Sequence, residues 1–196
     1  MSGAVITRLD AMGRWAPGAG GRLQQAAYEL FAERGYEQTT VADIAARAGL
    51  TERTFFRHYT DKREVFFAGQ DGLVDLVVGA IGDGPPLEAV VRAFEGAAVF
   101  FADRRAGARV RQEVVDAHPE LQERELAKLA RIAAGVAAAL RERGVGEPAA
   151  TLAAEAGTTI FRVGFARWVA DDADRGLDEV LRETFAELRA VVGGAR

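Results

Sequence analysis

The residues best suited to chemical recognition are arginines and threonines that recur at helical spacing in the first third of the chain. At about 100° per residue, Arg53, Thr54 and Arg57 share one side of a helix that starts after Thr51, and Phe55 lies on the opposite side. An arginine guanidinium matches the paired acceptors of a guanine edge, and a threonine offers a hydroxyl or a methyl group. The pattern predicts a helix that reads bases in the major groove of DNA.

Two short helices joined by a tight turn are predicted to carry these side chains. Thr40 can cap the first helix, with Asp43 three residues on in a capping-box position. Gly49 can end that helix, because a left-handed backbone costs least in a residue without a β-carbon. Thr51 can then cap the second helix, which is expected to run through about Tyr59. This arrangement is the helix-turn-helix, whose second helix enters the major groove.

Side chains beside this reading face are predicted to meet the phosphate walls of the groove. Phe56 and His58 lie on the flanks of the second helix. Lys62 opens the next helix, where backbone N–H groups and the helix dipole favour a phosphate. Lys62 and Lys128 are the two lysines among 25 basic residues, so a lysine here departs from the composition. The alternative for the second helix is an ordinary solvated surface helix, and the alternative for Lys62 is a surface lysine without a role in binding.

Residues 22–69 resemble the DNA-binding domain of the tetracycline-repressor (TetR) family of transcriptional regulators. The similar segments, in order, are RLQQAAYELFAERGYEQTT, TVADIAARAGLT and TFFRHYTDKREVF. The resemblance implies that this protein touches DNA through Thr40, Thr51, Thr54, His58 and Lys62. Phe56 stands where family members often have a tyrosine whose hydroxyl meets a phosphate, so its contact would be van der Waals only.

The chain divides into three parts in this interpretation, which predicts an all-α fold of about nine helices. Residues 1–20 are expected to form a flexible arm, which either reaches a minor groove or is an irregular tail. Residues 21–66 form the three-helix DNA-binding domain, and residues 67–196 form a helical ligand-binding and dimerisation domain. A single helix is expected from about 62 to 80.

The last two predicted helices have wider apolar faces than a monomer readily covers. Leu177, Leu181, Thr184 and Leu188 form one stripe on the final helix. We therefore expect a homodimer, and the resemblance implies a four-helix bundle built from this pair in two copies. The alternative is a helix that is fully buried in a monomer.

Aromatic side chains are concentrated on two helices of the second domain. Small residues beside them, such as Gly157 and Gly164, leave room for an apolar cavity, although ordinary core packing is the alternative. Basic side chains nearby either form a solvated face or hold the anionic end of a ligand. The residues predicted to bind a ligand are Phe94, Phe101, Phe161, Phe165 and Trp168 for its apolar part, with Arg109, Arg111 and His118 for its anionic end.

Residues 109–129, RVRQEVVDAHPELQERELAKL, resemble the C-terminal domain of an actinobacterial subgroup of the same family that is described as binding acyl-CoA-like ligands. This second resemblance implies a small-molecule effector that is apolar, with acyl-CoA as one example. Ligand identity varies within the subgroup, so the effector itself stays open.

Composition and motifs argue against several other classes of protein. Without cysteine, and with His58 and His118 far apart in sequence, we predict no metal site and no cofactor. No catalytic triad or close carboxylate pair stands out, so an enzyme is not expected. No segment approaches the roughly 18 apolar residues of a membrane span, and residues 1–21 lack the apolar core of a secretory signal. We expect a cytoplasmic protein with no membrane partner.

The net charge of −4 argues against nucleic acid, but its distribution is uneven. Residues 1–63 hold 9 basic and 7 acidic residues, and residues 64–196 hold 16 and 22. DNA affinity must therefore come from the local placement of cations. We expect a ligand-responsive regulator, most simply a repressor, that binds a palindromic operator as a dimer and is released by an apolar or acyl-type effector. The alternative is a dimeric small-molecule-binding protein without DNA binding.

Overall fold

The computed structural model describes residues 18–68, 71–102 and 104–193, and these residues form helices and turns without any strand. The all-α prediction is confirmed, with ten α-helices in the described ranges. The helices are α1 (Ala19–Arg34), α2 (Val41–Arg47), α3 (Glu52–His58), α4 (Lys62–Phe67), α5 (Asp71–Gly79), α6 (Pro86–Ala97), α7 (Arg105–Ala117), α8 (Pro119–Glu142), α9 (Ala149–Ala170) and α10 (Leu177–Val192). A 3₁₀ turn covers Ala98–Phe101.

The prediction of a single helix from about 62 to 80 is wrong, because the structure has two helices, α4 and α5, in this range. α4 ends at Phe67, Ala68 has an extended backbone with φ −60° and ψ 149°, and α5 begins at Asp71. Apolar spacing continues through this stretch, which explains the error. The sequence between the two helices contains Gly69, and a glycine costs about 1 kcal/mol relative to alanine in a helix interior. Asp71 follows it, and aspartate is favoured at helix starts.

The predicted arm, residues 1–20, lies outside the described residues except at its end, where Ala19 and Gly20 already belong to α1. The chain divides into two compact units, Met1–Ala68 and Gly69–Arg196. None of the described helices is long and apolar enough to cross a membrane.

The first unit packs α2, α3 and α4 around the buried face of α1. Leu23, Leu30 and Phe31 recur along that face at helical spacing and are almost fully buried. Ile44 from α2 and Phe55 from α3 complete the centre of the unit, and neither side chain is exposed to solvent. The short helices are thus held by one shared core.

The second unit is arranged around α9, which contacts α6, α7, α8 and α10. Glycines let two of these neighbours approach closely. A β-carbon added to Gly157 would lie 2.2 Å from Val90 Cγ1 on α6, and one added to Gly164 would lie 2.8 Å from Leu181 Cδ2 on α10. The small residues of α9 therefore serve tight helix packing, because protein interiors leave few voids of methyl size.

The apolar stripe of α10 that we expected to bind a second copy is instead used inside the unit. Leu177, Leu181 and Thr184 are each less than a tenth exposed, and Leu188 packs partly buried against the same core. The expectation of a wide apolar surface was right for α9 rather than for this stripe. On α9, Leu152 and Val163 remain 64% and 37% exposed.

Replacing Gly157 with alanine tests the close approach of α9 and α6. We expect a loss of about 1–3 kcal/mol in the free energy of unfolding, because the new methyl group meets Val90 in a packed core. Gly96→Ala on α6 is the matched control, since its β-carbon would meet nothing within 4 Å. That variant should gain about 0.5–1 kcal/mol. Urea unfolding followed by Trp168 fluorescence in a Trp15→Phe background measures both, and equal effects would contradict the packing.

Candidate functional sites

The N-terminus of α2 is fixed by a complete capping box. Asp43 N–H donates to Thr40 Oγ1 at 3.1 Å, and Thr40 N–H donates to Asp43 Oδ2 at 2.9 Å. Hydrogen bonds from the Thr40 hydroxyl and backbone, followed by the Arg34 guanidinium, lower the pKa of Asp43 to about 2. Both donors of Thr40 are therefore committed to Asp43. Its predicted contact with a DNA phosphate stays a prediction, and that contact requires one of these bonds to be exchanged.

The turn between α2 and α3 has the geometry that the sequence predicts. Gly49 adopts φ +67°, and Leu50 N–H donates to Ala45 O at 2.8 Å to close the end of α2. Thr51 then caps α3 by accepting a hydrogen bond from Thr54 N–H at 3.2 Å. These contacts lie within a few residues of each other and confirm both helix starts and the glycine turn.

α3 is anchored by aromatic side chains on its inner face. Phe55 is fully buried and meets the Phe56 ring edge-on at 5.5 Å and the Tyr59 ring at 5.6 Å. The Tyr59 hydroxyl donates to Gly20 O on α1 at 3.1 Å. The predicted inner face of this helix is therefore the observed one.

The outer face of α3 is open to solvent. Arg53, Phe56, Arg57 and His58 are exposed, and Thr54 is half-buried beside them. Arg53, Thr54, Phe56 and Arg57 line a shallow surface depression. The Phe56 phenyl ring is 56% exposed and has no hydrogen-bond donor. Any role of these side chains on DNA stays a prediction. Phe56, which we expected on a flank of the helix, lies in the same depression as the predicted reading face.

Ion pairs with acidic side chains compensate several arginines of the first unit, but not those on the outer face of α3. The paired side chains are Arg34 with Asp43 at 2.8 Å, Arg47 with Glu33 at 2.6 Å and Arg63 with Asp61 at 2.8 Å. Among residues 18–68, Arg22, Arg53 and Arg57 form no ion pair with a described residue. Two of these three unpaired guanidinium groups lie on the outer face of α3.

Lys62 has a structural role that the sequence analysis missed. Its Nζ donates to Tyr36 O at 2.8 Å and to Thr39 O at 3.3 Å, and lies 4.1 Å from the centre of the Tyr36 ring. The lysine therefore fastens the start of α4 to the turn that leads into Thr40. An ammonium group has three donors, so one remains for the predicted phosphate contact. No local signal reveals the clamp, because its partners are 23 and 26 residues away.

The structure brings together all five aromatic side chains that were predicted to bind a ligand. Phe94 stacks on Phe161 at 4.8 Å, Phe101 meets Phe165 edge-on at 5.2 Å, and Phe165 lies 5.7 Å from Trp168. Val90 and Leu181 occupy the space beside Gly157 and Gly164 in which we expected a cavity. The rings pack directly on one another, so a ligand that binds between them must separate them.

Arg109 is used to cap the C-terminus of α9. Its Nε donates to Val169 O at 2.7 Å, and Nη2 donates to Asp171 O and to Asp172 Oδ1, both at 3.0 Å. Arg105 adds a bond to Trp168 O at 2.6 Å and lies over the Trp168 ring. The last carbonyls of a helix lack partners within the helix and attract such cations. This capping explains the basic residues at the start of α7 better than a cradle for a ligand.

Arg111 also has a partner inside the protein. It forms an ion pair with Glu125, which in turn accepts a hydrogen bond from Lys128 at 2.5 Å. Burial opposes the charged form of Glu125, but the positive charges of Arg111 and Lys128 outweigh it and lower the pKa of Glu125. Burial, followed by the charge of Arg111, lowers the pKa of Lys128 to about 8. This buried group of three was not predicted, because no local pattern indicates that Arg111 and Glu125, 14 residues apart, are in contact.

His118 lies at the start of α8 with its Nδ1 2.7 Å from Val114 O. All three residues predicted to hold an anionic ligand end therefore interact with the protein itself. Their binding of a ligand stays a prediction.

The exposed α3, its glycine turn and its capped partner helix form a helix-turn-helix, the arrangement in which DNA-binding proteins place their recognition helix. The family model described as bacterial regulatory proteins of the tetR family matches residues 23–68, and the MftR C-terminal domain model matches residues 84–193. The chain belongs to the TetR family of bacterial regulatory proteins, with a C-terminal domain of the MftR type.

Two curated regulators show the extent of the similarity. HTH-type transcriptional regulator TcmR of Streptomyces glaucescens is 37% identical over 76 residues, which cover 39% of this chain and 34% of TcmR. The mycofactocin biosynthesis transcriptional regulator MftR of Mycobacterium tuberculosis is 33% identical over 107 residues, which cover 51% of this chain and 52% of MftR. The chain thus spans about half or less of the length of these relatives.

Solved structures share the fold over most of the chain. FadR of Thermus thermophilus, a TetR family repressor in complex with lauroyl-CoA, matches with a TM-score of 0.55 at 24% identity, covering 86% of this chain and 92% of FadR. FadR of Bacillus subtilis in complex with stearoyl-CoA matches with a TM-score of 0.65 at 19% identity, covering 86% and 97%. At these identities the likeness concerns the fold alone.

Replacing Lys62 with methionine tests the clamp. The variant loses two hydrogen bonds to backbone carbonyls, so we expect the free energy of unfolding to fall by about 1–3 kcal/mol. Arg63→Met removes the neighbouring exposed ion pair with Asp61 and should lower it by less than about 1 kcal/mol. Urea unfolding followed by circular dichroism compares them. If the two variants unfold alike, Lys62 does not hold the turn.

Proposed function

We propose that this protein is a ligand-responsive transcriptional repressor that binds a palindromic DNA operator as a homodimer and is released by a small apolar or acyl-type effector. The observation that carries the proposal is the outer face of α3, where Arg53 and Arg57 are exposed and lack ion-pair partners among the described residues. The membership of the TetR family supports the same function.

The dimensions of α3 suit the major groove. Its seven residues span about 10 Å at 1.5 Å per residue, and the groove is about 12 Å wide. Arg53 and Arg57 are one turn apart and can address neighbouring base pairs. Phe56 and His58 lie on the flanks, toward the phosphates. The unpaired guanidinium groups keep all of their donors for DNA, which is the condition for bidentate recognition of guanine.

Arg53→Ala and Arg57→Ala test base reading directly. Each should weaken operator binding by about 1–3 kcal/mol and relax the preference at particular base pairs. Arg53→Lys is the matched control, because it keeps the charge but loses the planar fork. It should preserve the salt dependence while losing base preference. Fluorescence anisotropy on the DNA upstream of its own gene, across several salt concentrations, measures both quantities.

Unchanged operator binding by both alanine variants would contradict the proposed reading face. If the wild-type protein did not bind this DNA but still dimerised and bound a small molecule, the second candidate function would be favoured. That candidate is a dimeric small-molecule-binding protein without DNA binding. Two features support this second candidate. The net charge is −4, and Phe56 stands where family members often have a tyrosine that contacts a phosphate.

The homodimer is supported by the outer face of α9. Six small or apolar residues there recur in alternating steps of three and four residues, and five of them are exposed while Ala156 is half-buried. They are Leu152, Ala156, Thr159, Val163, Ala166 and Ala170. Such a stripe fits the seam of a helix bundle, and two-fold pairing matches palindromic half-sites.

Val163→Glu tests this face. We expect a monomer by light scattering at micromolar concentration, because a carboxylate at the centre of the stripe would have to be buried without a partner. Binding to the palindromic operator should be lost with it. Ala127→Glu introduces the same group at an exposed position of α8 and should remain dimeric. A dimeric Val163→Glu variant would exclude this face of α9 as the interface.

An apolar or acyl-type effector is supported by the aromatic cluster of the second unit and by the acyl-CoA complexes of the two FadR proteins of similar fold. Because Phe94 on α6 is stacked on Phe161 on α9, a ligand that enters between these rings would change the packing of the two helices. Such a ligand releases DNA only if it favours a conformation unsuited to the operator, since a ligand that binds both states equally shifts nothing.

A further inference from the structure

Thr158 is a buried hydroxyl without a partner. The residue is 6% exposed, and its Oγ1 is inaccessible to solvent and has no hydrogen-bond partner among the described residues. Buried polar groups are nearly always hydrogen-bonded, because leaving one unpaired costs its full desolvation penalty. An unpaired hydroxyl in a helix core therefore needs an explanation.

Thr184 on α10 shows what such a hydroxyl ordinarily does. It is equally buried, at 6% exposed, but its Oγ1 donates to Val180 O at 2.8 Å and accepts from Arg167 Nη1 at 3.2 Å. A threonine within a helix can bond the carbonyl four residues earlier in this way. For Thr158 the equivalent acceptor is Ala154 O, and this bond is not made.

Thr158 lies on the same face of α9 as the aromatic cluster. Phe161 follows it by three residues and Phe165 by seven, so the three side chains are neighbours along one stripe. Among the buried residues of α9, which is described in full, Thr158 carries the one unpaired hydrogen-bonding group, since the Trp168 indole N–H donates to Arg175 O at 3.0 Å. A mostly apolar wall with one well-placed polar group is typical of a small-molecule site.

We propose that the Thr158 hydroxyl is the polar specificity group of the effector site, and that the effector carries an uncharged oxygen, a hydroxyl or a ketone, partway along an apolar body. The inference rests on the proposed function, in which the second unit binds an apolar effector. An uncharged oxygen fits because the buried neighbours of Thr158 along α9, Ala154 and Phe161, are apolar, and a charge buried among them would be unfavourable. Threonine can donate to either group or accept from a hydroxyl.

The first test uses the free protein. Thr158→Val keeps the shape of the side chain and removes the unpaired hydroxyl, so the urea midpoint should rise or stay unchanged. Thr184→Val removes a hydroxyl with two partners, so its midpoint should fall. If the midpoint of Thr158→Val falls as far as that of Thr184→Val, the hydroxyl is already satisfied in the free protein, for example by a buried water, and the inference is overturned.

The second test compares probes that differ by one oxygen. Stearate and its 3-, 10- and 12-hydroxy derivatives are titrated against Trp168 fluorescence in a Trp15→Phe background. At least one hydroxystearate should bind about tenfold more tightly than stearate, the effect of one additional buried hydrogen bond. Thr158→Val should reduce that preference to about twofold or less and leave the affinity for stearate unchanged. A preference that survives in the variant would assign the recognition to another group.

The same probes separate this inference from the proposed function. If stearate or stearoyl-CoA releases the operator while no hydroxylated probe binds better than stearate, the repressor function stands and the inference about Thr158 fails. If none of the probes binds, the acyl-type effector and this inference fail together, and the DNA-binding results for the α3 variants are unaffected.

Discussion

A helix of seven residues is not stable alone in water, because nucleation is unfavourable and few hydrogen bonds follow it. The proposed DNA-reading surface therefore depends on the burial of Phe55, which holds α3 in the core of the first unit. The Thr51 cap and the Tyr59 bond to Gly20 O fix the two ends of the same helix. With its inner side fixed, the outer side can carry charged groups that make no contribution to packing. The exposed arginines contribute nothing to packing, so α3 depends on the buried Phe55 for its stability.

The distribution of charge in the first unit also differs between the outer face of α3 and the rest of the surface. Exposed ion pairs such as Arg47 with Glu33 contribute little to stability, typically less than about 1 kcal/mol. Their effect on the surface is larger, because each pair removes a local positive potential. The first unit is nearly neutral by count, yet the unpaired Arg53 and Arg57 give α3 a local positive charge. Net charge is therefore a poor guide to nucleic-acid binding when pairing is uneven.

Features decided within a few residues could be predicted from the sequence, and features decided by distant contacts could not. The Thr40 and Thr51 caps and the Gly49 turn depend on near neighbours, and all three were predicted. The clamp of Lys62 and the capping of α9 by Arg109 join residues 23 to 63 positions apart. Such contacts leave no periodic pattern. The aromatic cluster was predicted because aromatic residues are concentrated on two predicted helices, but whether its rings enclose a cavity depends on how closely the helices approach.

α9 joins the two proposed activities of the second unit. Its inner face carries the aromatic rings and Thr158, and its outer face carries the stripe proposed to pair with a second copy. α9 and α6 are in close contact at Gly157, because the Val90 side chain fills the space beside it. The C-terminus of α9 is tied to α7 through Arg109. In the proposed mechanism, a ligand that separates the rings would displace α9, because Phe161 and Phe165 are both on that helix. Such a displacement would move the outer stripe as well, so one helix would couple effector binding to the proposed dimer geometry.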